Sequence, residues 1–166
     1  MQSFTDAQLA RVEATSREAR DLVGNYYAVA PREWARVRSE VRTLAELCPE
    51  EIVDHAFAHV LCYEFTRSLD GGVIDKGDLY RICLQDHRIL NALKSKTRGL
   101  DSEALLLYVM THEFVHVVRF GVQLQDLHLP ETLRSAEEQN VDGITRKILF
   151  PVGNSSLSRV VNSICC

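Results

Sequence analysis

Two histidines and a glutamate form the pattern with the clearest chemical meaning in the chain. His112, Glu113 and His116 lie in the segment Thr111-His-Glu-Phe-Val-His116, which has the form H-E-x-x-H. Residues four apart share one face of a helix, so both imidazoles can bind one metal ion. Glu113 then lies beside that ion, where its carboxylate can act as a base toward a bound water. The spacing therefore predicts a helix that supplies two ligands to zinc.

A third ligand is expected beyond His116, after 21 intervening residues. Glu138 and Asp142 are four residues apart and share a helical face. We expect Glu138 to bind the metal and Asp142 to accept a hydrogen bond from a ligand imidazole. Glu137 is the alternative ligand, and Glu138 is preferred because Glu137 has no acidic residue four positions later. Two histidines, one glutamate and a water form a catalytic type of zinc site, so one Zn2+ per chain is predicted.

The complete pattern resembles that of the gluzincin metallopeptidases, in which H-E-x-x-H is followed by E-x-x-x-D. The segment from Glu138 to Pro151 is further similar in layout to the compact ImmA/IrrE-type proteases of phage and stress regulation. The similarity covers about residues 105–151, less than a third of the chain. It leaves the residues before 70 without a counterpart in that class.

This resemblance implies a function for each residue of the pattern. It implies that His112, His116 and Glu138 bind zinc, that Glu113 is the catalytic base and that Asp142 orients a ligand histidine. The implied activity is hydrolysis of peptide bonds by a metal-activated water, with a peptide or protein as the substrate.

Two other functions stay open at this point. In a non-catalytic interaction module, zinc would only fasten two helices, which suits the small size of the chain. A peptide-deformylase-like amidase would take Cys83 as its third ligand, but this leaves Glu138 and Asp142 without a role. Glu113 favours an enzyme, because a structural zinc site has no use for a base beside the metal.

Hydrolysis also needs a donor for the negative charge that develops on the carbonyl oxygen. Four side chains are candidates for this oxyanion donor: Tyr80, Arg81, His128 and Arg134. The strand predicted at Leu79–Leu84 is a hypothetical edge along which an extended peptide aligns.

A second histidine pair, His55 and His59, has the same spacing of four. It is interpreted either as a second metal site or as two histidines of a core helix. The apolar residues around the pair and the lack of a glutamate after His55 favour the core helix.

The N-terminal part of the chain is predicted to be helical. Thr5 and Gln8 have the spacing of a capping box, which indicates a first helix from Asp6 to Ala28. A second helix is expected from Pro31 to about Leu47, and a third from Glu50 to Ser68. A short hairpin over Val73–Leu84, with its turn at 75–78, is the one convincing β signal.

The C-terminal part is predicted to carry the metal-binding helices. A brief helix at His87–Ser95 precedes the metal helix at Glu103–Phe120, and a last long helix runs from Pro130 to about Phe150. Gly143 lies inside that last helix at a cost of about 1 kcal/mol, which predicts a close approach to the metal helix. Residues 152–166 are expected to be loosely held.

Together these elements predict a predominantly α-helical α+β fold. We expect one zincin-like domain over residues 1–166, with a helical part at 1–70, the hairpin and metal helices at 73–151 and the tail at 152–166. The minimal core would be two metal-bearing helices and a small β-hairpin.

Composition limits the classes of partner and compartment. The 166 residues have a net charge of −4, which disfavours nucleic-acid binding. No apolar run is long enough for a membrane span, and no signal peptide is evident. Five cysteines without a CxxC pair indicate reduced thiols and a cytoplasmic protein. The sequence assigns no role to Cys165-Cys166 and no oligomeric state.

Overall fold

The computed structural model describes residues 1–95, 99–123 and 128–164. These residues form a predominantly helical α+β fold, as the sequence predicts. The helices are α1 (Asp6–Tyr27), α2 (Pro31–Arg36), α3 (Asp86–Lys94), α4 (Ser102–Gly121), α5 (Glu131–Leu149) and α6 (Ser155–Ile164). The strands are β1 (Arg38–Arg42), β2 (Ala58–Leu69) and β3 (Gly72–Leu84). Short 3-10 helices lie at Leu44–Glu46, Pro49–Glu51 and Phe150–Val152.

The three strands form one sheet in the order β1-β3-β2. Strand β3 pairs in parallel with β1 and antiparallel with β2, so it lies in the centre of the sheet. The turn between β2 and β3 consists of Asp70 and Gly71, whose φ angles are 49° and 77°. Two positive φ angles are the requirement of the tightest hairpin turns, and Asp-Gly satisfies it at low cost.

The predicted hairpin exists, but its position and partner strands are different. Residues 75–78, predicted as the turn, lie inside β3. The predicted third helix, Glu50–Ser68, is wrong because most of that segment is β2, which pairs with β3 over its whole length. The predicted second helix ends early, at Arg36, and Arg38–Arg42 forms β1 instead.

Local signals at the helix ends are confirmed. Thr5 and Gln8 form the capping box of α1, and this helix ends one residue before the predicted Ala28. The Asp101 carboxylate accepts a hydrogen bond from the backbone N–H of Ala104 at 2.9 Å and caps α4. Each of these contacts joins residues three apart, so the sequence alone specifies them.

Helix α4 is the centre of the core. It packs against α1, α5, α6, β2 and β3, and its buried residues lie on every side of the helix. An apolar helix without a polar face is stable only when protein covers all of it. The fully buried apolar side chains of α4 are Leu105, Met110, Val115, Val117 and Val118.

The sheet covers α4 with one of its faces. Alternate side chains of β2 and β3, including Ala58, Ile82 and Leu84, belong to the same core cluster as α4. Arg81 points to the opposite face, since strand side chains alternate. There its guanidinium donates hydrogen bonds to Glu40 and Glu51, both at 2.7 Å.

Glu51 is the buried anchor of this opposite face. Burial by itself raises the pKa of Glu51, but hydrogen bonds from Tyr63, from the backbone of Cys48 and from Arg81 outweigh it and hold the pKa at about 2. The Arg81–Glu51 pair therefore attaches the loop before β2 to the sheet.

The C-terminal segment is not the loosely held tail that its Ser/Asn-rich composition suggests. Residues Ser155–Ile164 form α6, which packs on α4. Leu157, Val160, Val161 and Ile164 have helical spacing, and Leu157 and Val160 are buried. Residues 165 and 166 lie outside the described residues.

Among the helices of the described residues, none combines the length and the apolar character that crossing a membrane requires.

The expected close approach at Gly143 is also wrong. A Cβ added at Gly143 would meet no atom within 4 Å, whereas one at Gly121 would lie 2.7 Å from Val37 Cγ1 and 3.1 Å from Tyr80 Cε2. The tight glycine therefore lies at the end of α4, against β3 and the residue before β1.

The two glycines should respond in opposite ways to alanine. Gly143→Ala should raise the free energy of unfolding by about 0.5–1 kcal/mol, because it removes backbone entropy from the unfolded chain without a clash. Gly121→Ala should lower it by about 1–3 kcal/mol through overpacking. Chemical denaturation of both variants measures this, and a destabilised Gly143→Ala would contradict the open space at that position.

Candidate metal centre

Neighbouring helices bring the three predicted ligands together. His112 and His116 lie on one face of α4, and Glu138 lies on the facing side of α5. His112 Nε2 is 3.3 Å from Glu138 Oε2, and His116 Nε2 is 3.3 Å from Glu138 Oε1. One ligand atom from each residue falls within 4.8 Å of the other two. Within the described ranges, this is the one such group of three or more histidine, cysteine or acidic residues.

The donor set and spacing fit zinc. Two donor atoms bound to one tetrahedral zinc at about 2.0–2.1 Å lie roughly 3.3 Å apart. Both imidazole-to-carboxylate distances have this value, and each ends on a different oxygen of Glu138. Two nitrogens and one carboxylate oxygen are also the ligands of open, catalytic zinc sites. The donor types fit zinc, and the three ligand atoms are close enough together to hold one ion.

Glu137, the alternative ligand, has a different partner. Its carboxylate accepts hydrogen bonds from Arg119, one from Nε to Oε1 and one from Nη2 to Oε2 at 2.7 Å. Arg119 also interacts with Tyr27 of α1. The pair is largely buried, so its two parallel contacts hold Glu137 away from the histidines.

Asp142 contacts His112, as the spacing predicts. Its Oδ1 lies 3.2 Å from His112 Nδ1, the ring nitrogen that faces away from Glu138. The hydroxyl of Tyr108 donates a hydrogen bond to the same Oδ1 at 3.0 Å. Such partners fix the orientation of a ligand imidazole.

Tyr108 was missed by the reasoning from sequence. The signal was its position, since Tyr108, His112 and His116 are spaced by four along α4 and share a face. A tyrosine at this spacing in an apolar helix is ordinarily assigned to the core.

The carboxylates strongly favour the protonated form of His112. Burial by itself lowers the pKa of His112, but Asp142 and Glu138 outweigh it and raise the pKa to about 10. Burial alone raises the pKa of Glu138, whereas its contacts with His112 and His116 hold that pKa well below the usual range. Without metal, the centre is thus an imidazolium–carboxylate cluster at neutral pH.

Glu113 differs from the other carboxylates of the centre. It is 6% exposed, and no residue of the described ranges forms a hydrogen bond or salt bridge with its carboxyl group. Burial raises the pKa of Glu113, and only the charges of His112 and His116 oppose this. A carboxyl group without a partner in this position is free to exchange a proton with a ligand.

The centre opens into a cleft of about 520 Å³. Its walls come from α4, from α5 and from the segment His55–Val60, which leads into β2. The apolar part of the lining consists of Ala56, Phe57, Ala58, Val60, Val109, Phe120, Leu129 and Ile164. A cleft that combines an apolar lining with convergent polar groups is the usual form of a ligand site.

Only one of the four candidate oxyanion donors lines this cleft. Arg134 does, one helical turn before Glu138. Tyr80 is buried in the core beside Gly121, and Arg81 pairs with Glu40 and Glu51 on the far face of the sheet. His128 is exposed and is not part of the lining. Those three are therefore not placed to bind an oxyanion.

The remaining predicted residues have other positions. Cys83 is fully buried in β3 and does not join the ligand group, so the deformylase-like ligand set is not formed. His55 and His59 line the cleft but do not lie on a helix, because His59 belongs to β2. The Nδ1 atom of His59 is buried without a hydrogen-bond partner in the described structure, which contradicts a fully satisfied core histidine.

Comparisons of the chain with protein-family models, with curated proteins and with solved structures find no match.

The acid–base state of His112 can be tested in the metal-free protein. An NMR titration of its imidazole should have a midpoint near pH 10, so that the ring stays protonated at pH 8, since Asp142 and Glu138 stabilise the cation. Asp142→Asn should lower this midpoint. Metal must displace that proton, so binding should weaken as the pH falls. A wild-type midpoint near the ordinary value of about 6.5 would contradict the described contacts.

Proposed function

We propose that the chain is a zinc-dependent peptidase of the cytoplasm, where the free thiols of Cys48, Cys62 and Cys83 stay reduced. The observation that carries this proposal is Glu113, a buried carboxyl group that has no hydrogen-bond or salt-bridge partner among the described residues and lies beside the histidines and Glu138. Structural zinc sites are closed by protein ligands and use no base. A free base next to an open metal site supports hydrolysis.

In this mechanism His112, His116 and Glu138 hold the metal, and Asp142 with Tyr108 fixes the ring of His112. Zinc, when bound there, supplies a Lewis acid that activates water and polarises the peptide carbonyl. Glu113 takes the proton of the attacking water and delivers it to the leaving amine. Its raised pKa suits both steps, because a base that is also to act as an acid works best with a pKa near the working pH.

The substrate would align on a different strand from the one predicted. Leu79–Leu84 is not an edge, because β3 is paired on both sides over most of this segment. The edge strand at the cleft is β2. The backbone N–H of Gln85 donates a hydrogen bond to the carbonyl of Phe57 at 2.8 Å. In the antiparallel register, the backbone N–H and C=O groups of the odd-numbered residues that follow in β2 therefore point toward β3. The backbone groups of Ala58 and Val60 consequently face away from β3, where an extended peptide can pair with them.

The edge hypothesis predicts a position-dependent effect of proline. Val60→Pro removes an outward N–H without breaking the ladder to β3, so it should raise KM about threefold to tenfold by loss of a substrate hydrogen bond. Cys62→Pro removes the next outward N–H, which lies outside the cleft lining, and should leave KM unchanged. Equal effects of both variants, measured at equal zinc content, would count against pairing at β2.

Metal content and hydrolysis test the proposed function itself. The wild-type chain should contain about one zinc, and Glu138→Gln should lose it, while the matched control Glu131→Gln, at an exposed glutamate of α5 outside the cleft lining, should retain it. Glu113→Gln should keep the zinc and lower kcat at least about a hundredfold, because general-base catalysis contributes that much. Elemental analysis and cleavage of a mixed peptide library give both measurements.

A zinc-loaded wild-type chain that cleaves no peptide would instead support the non-catalytic interaction module. A chain that binds no zinc would remove both functions.

A further inference from the structure

Three of the four carboxyl groups that line the cleft already contact other side chains. Glu137 pairs with Arg119, Glu138 contacts both histidines, and Asp142 contacts His112 and Tyr108. Glu113 is buried beside the two histidines. In the described part of the chain, no salt bridge joins any of these four carboxyl groups to Arg134.

Arg134 is the uncompensated charge of the cleft. It lines the cleft, is exposed, and has no salt bridge or hydrogen bond with any residue in the described ranges. The nearest comparable cation, Arg119, is fully engaged with Glu137. An arginine that projects into a binding cleft without a partner is well suited to a carboxylate, which its planar guanidinium binds through two parallel hydrogen bonds.

The position of Arg134 sets where on a peptide that carboxylate must lie. Arg134 precedes Glu138 by four residues, so it is on the same face of α5 and about 6 Å along the helix axis. An extended peptide advances about 3.3 Å per residue. The guanidinium is thus within reach of a group about two residues from the bond held at the metal.

We propose that Arg134 determines specificity and binds a substrate carboxylate within about two residues of the scissile bond. The inference rests on the proposed peptidase function. The carboxylate is either an acidic side chain or the carboxyl terminus of the peptide, since both present the same group to the arginine. The preferred substrates would be acidic segments or chain ends.

Short peptides that carry an amino-terminal hydroxamate, a zinc-binding group, test this with the full zinc-loaded chain. Four versions have Glu or Gln at the second residue, and a free or amidated carboxyl terminus. Calorimetry should find one carboxylate version bound about threefold to tenfold more tightly than the Gln amide, as suits a partly exposed charge pair. The Glu amide and the Gln acid distinguish the two sources.

Variants assign this preference to Arg134. Arg134→Gln should abolish it, and Arg134→Lys should retain part of it. Lys147→Gln removes the same charge from α5 outside the cleft and should leave the preference intact. Added salt should reduce the preference in the wild type.

Each other result has a defined meaning. Equal binding of all four peptides, or a preference that survives Arg134→Gln, would overturn the carboxylate subsite while the metal centre stands. If Arg134→Gln instead weakens the binding of all four peptides equally, the arginine would be assigned to the reacting carbonyl as an oxyanion donor. Absence of zinc, or zinc without any hydroxamate binding, would overturn the peptidase proposal and this inference with it.

Discussion

The burial of α4 on every side is the constraint on which the rest of the structure depends. A helix with buried residues on every side requires neighbours all round, and α1, α5, α6 and the sheet provide them. His112 and His116 lie on this helix, and an imidazole pair in an apolar setting needs polar partners. Glu138 and Asp142 of α5 supply them. The packing of α5 on α4 therefore also places these carboxylates beside the histidines.

The rotation of α5 about its axis decides which side chains reach that centre. Arg119 of α4 holds Glu137 through two hydrogen bonds, and this pair is largely buried between the helices. With Glu137 fixed, the residues at Arg134, Glu138 and Asp142 share the face toward the cleft. This buried salt bridge thus fixes the rotation of α5 at which Glu138, Asp142 and Arg134 all face the cleft. We infer that the pair acts on the position of α5 more than on stability, since buried ion pairs often add little to the free energy of unfolding.

Local patterns could be predicted from the sequence, and distant pairing could not. The capping box of Thr5, the cap at Asp101 and the four-residue spacings of His112–His116 and Glu138–Asp142 each join neighbours within one helix turn. Strands β1 and β2 are stabilised by β3, whose partners lie up to 41 residues away in sequence, as in Glu40 and Arg81. The apolar residues of β2 lie on both of its faces, so no clean alternation marked it as a strand. Because that segment was assigned to a helix, the edge strand at the cleft was missed.

The same edge strand separates the two functions that the ligand set alone leaves open. A zinc that only fastens α4 to α5 would be enclosed by them, with its ligands equally covered. Here the coverage is unequal, because the side chain of Glu138 is 51% exposed while those of His112 and His116 are 15% and 9% exposed. The open side faces a cleft, and across that cleft lies β2, where the backbone groups of Ala58 and Val60 face away from β3 and pair with no described strand. Fastening two helices requires neither the opening nor the strand, whereas both support the proposed binding of a peptide against a metal.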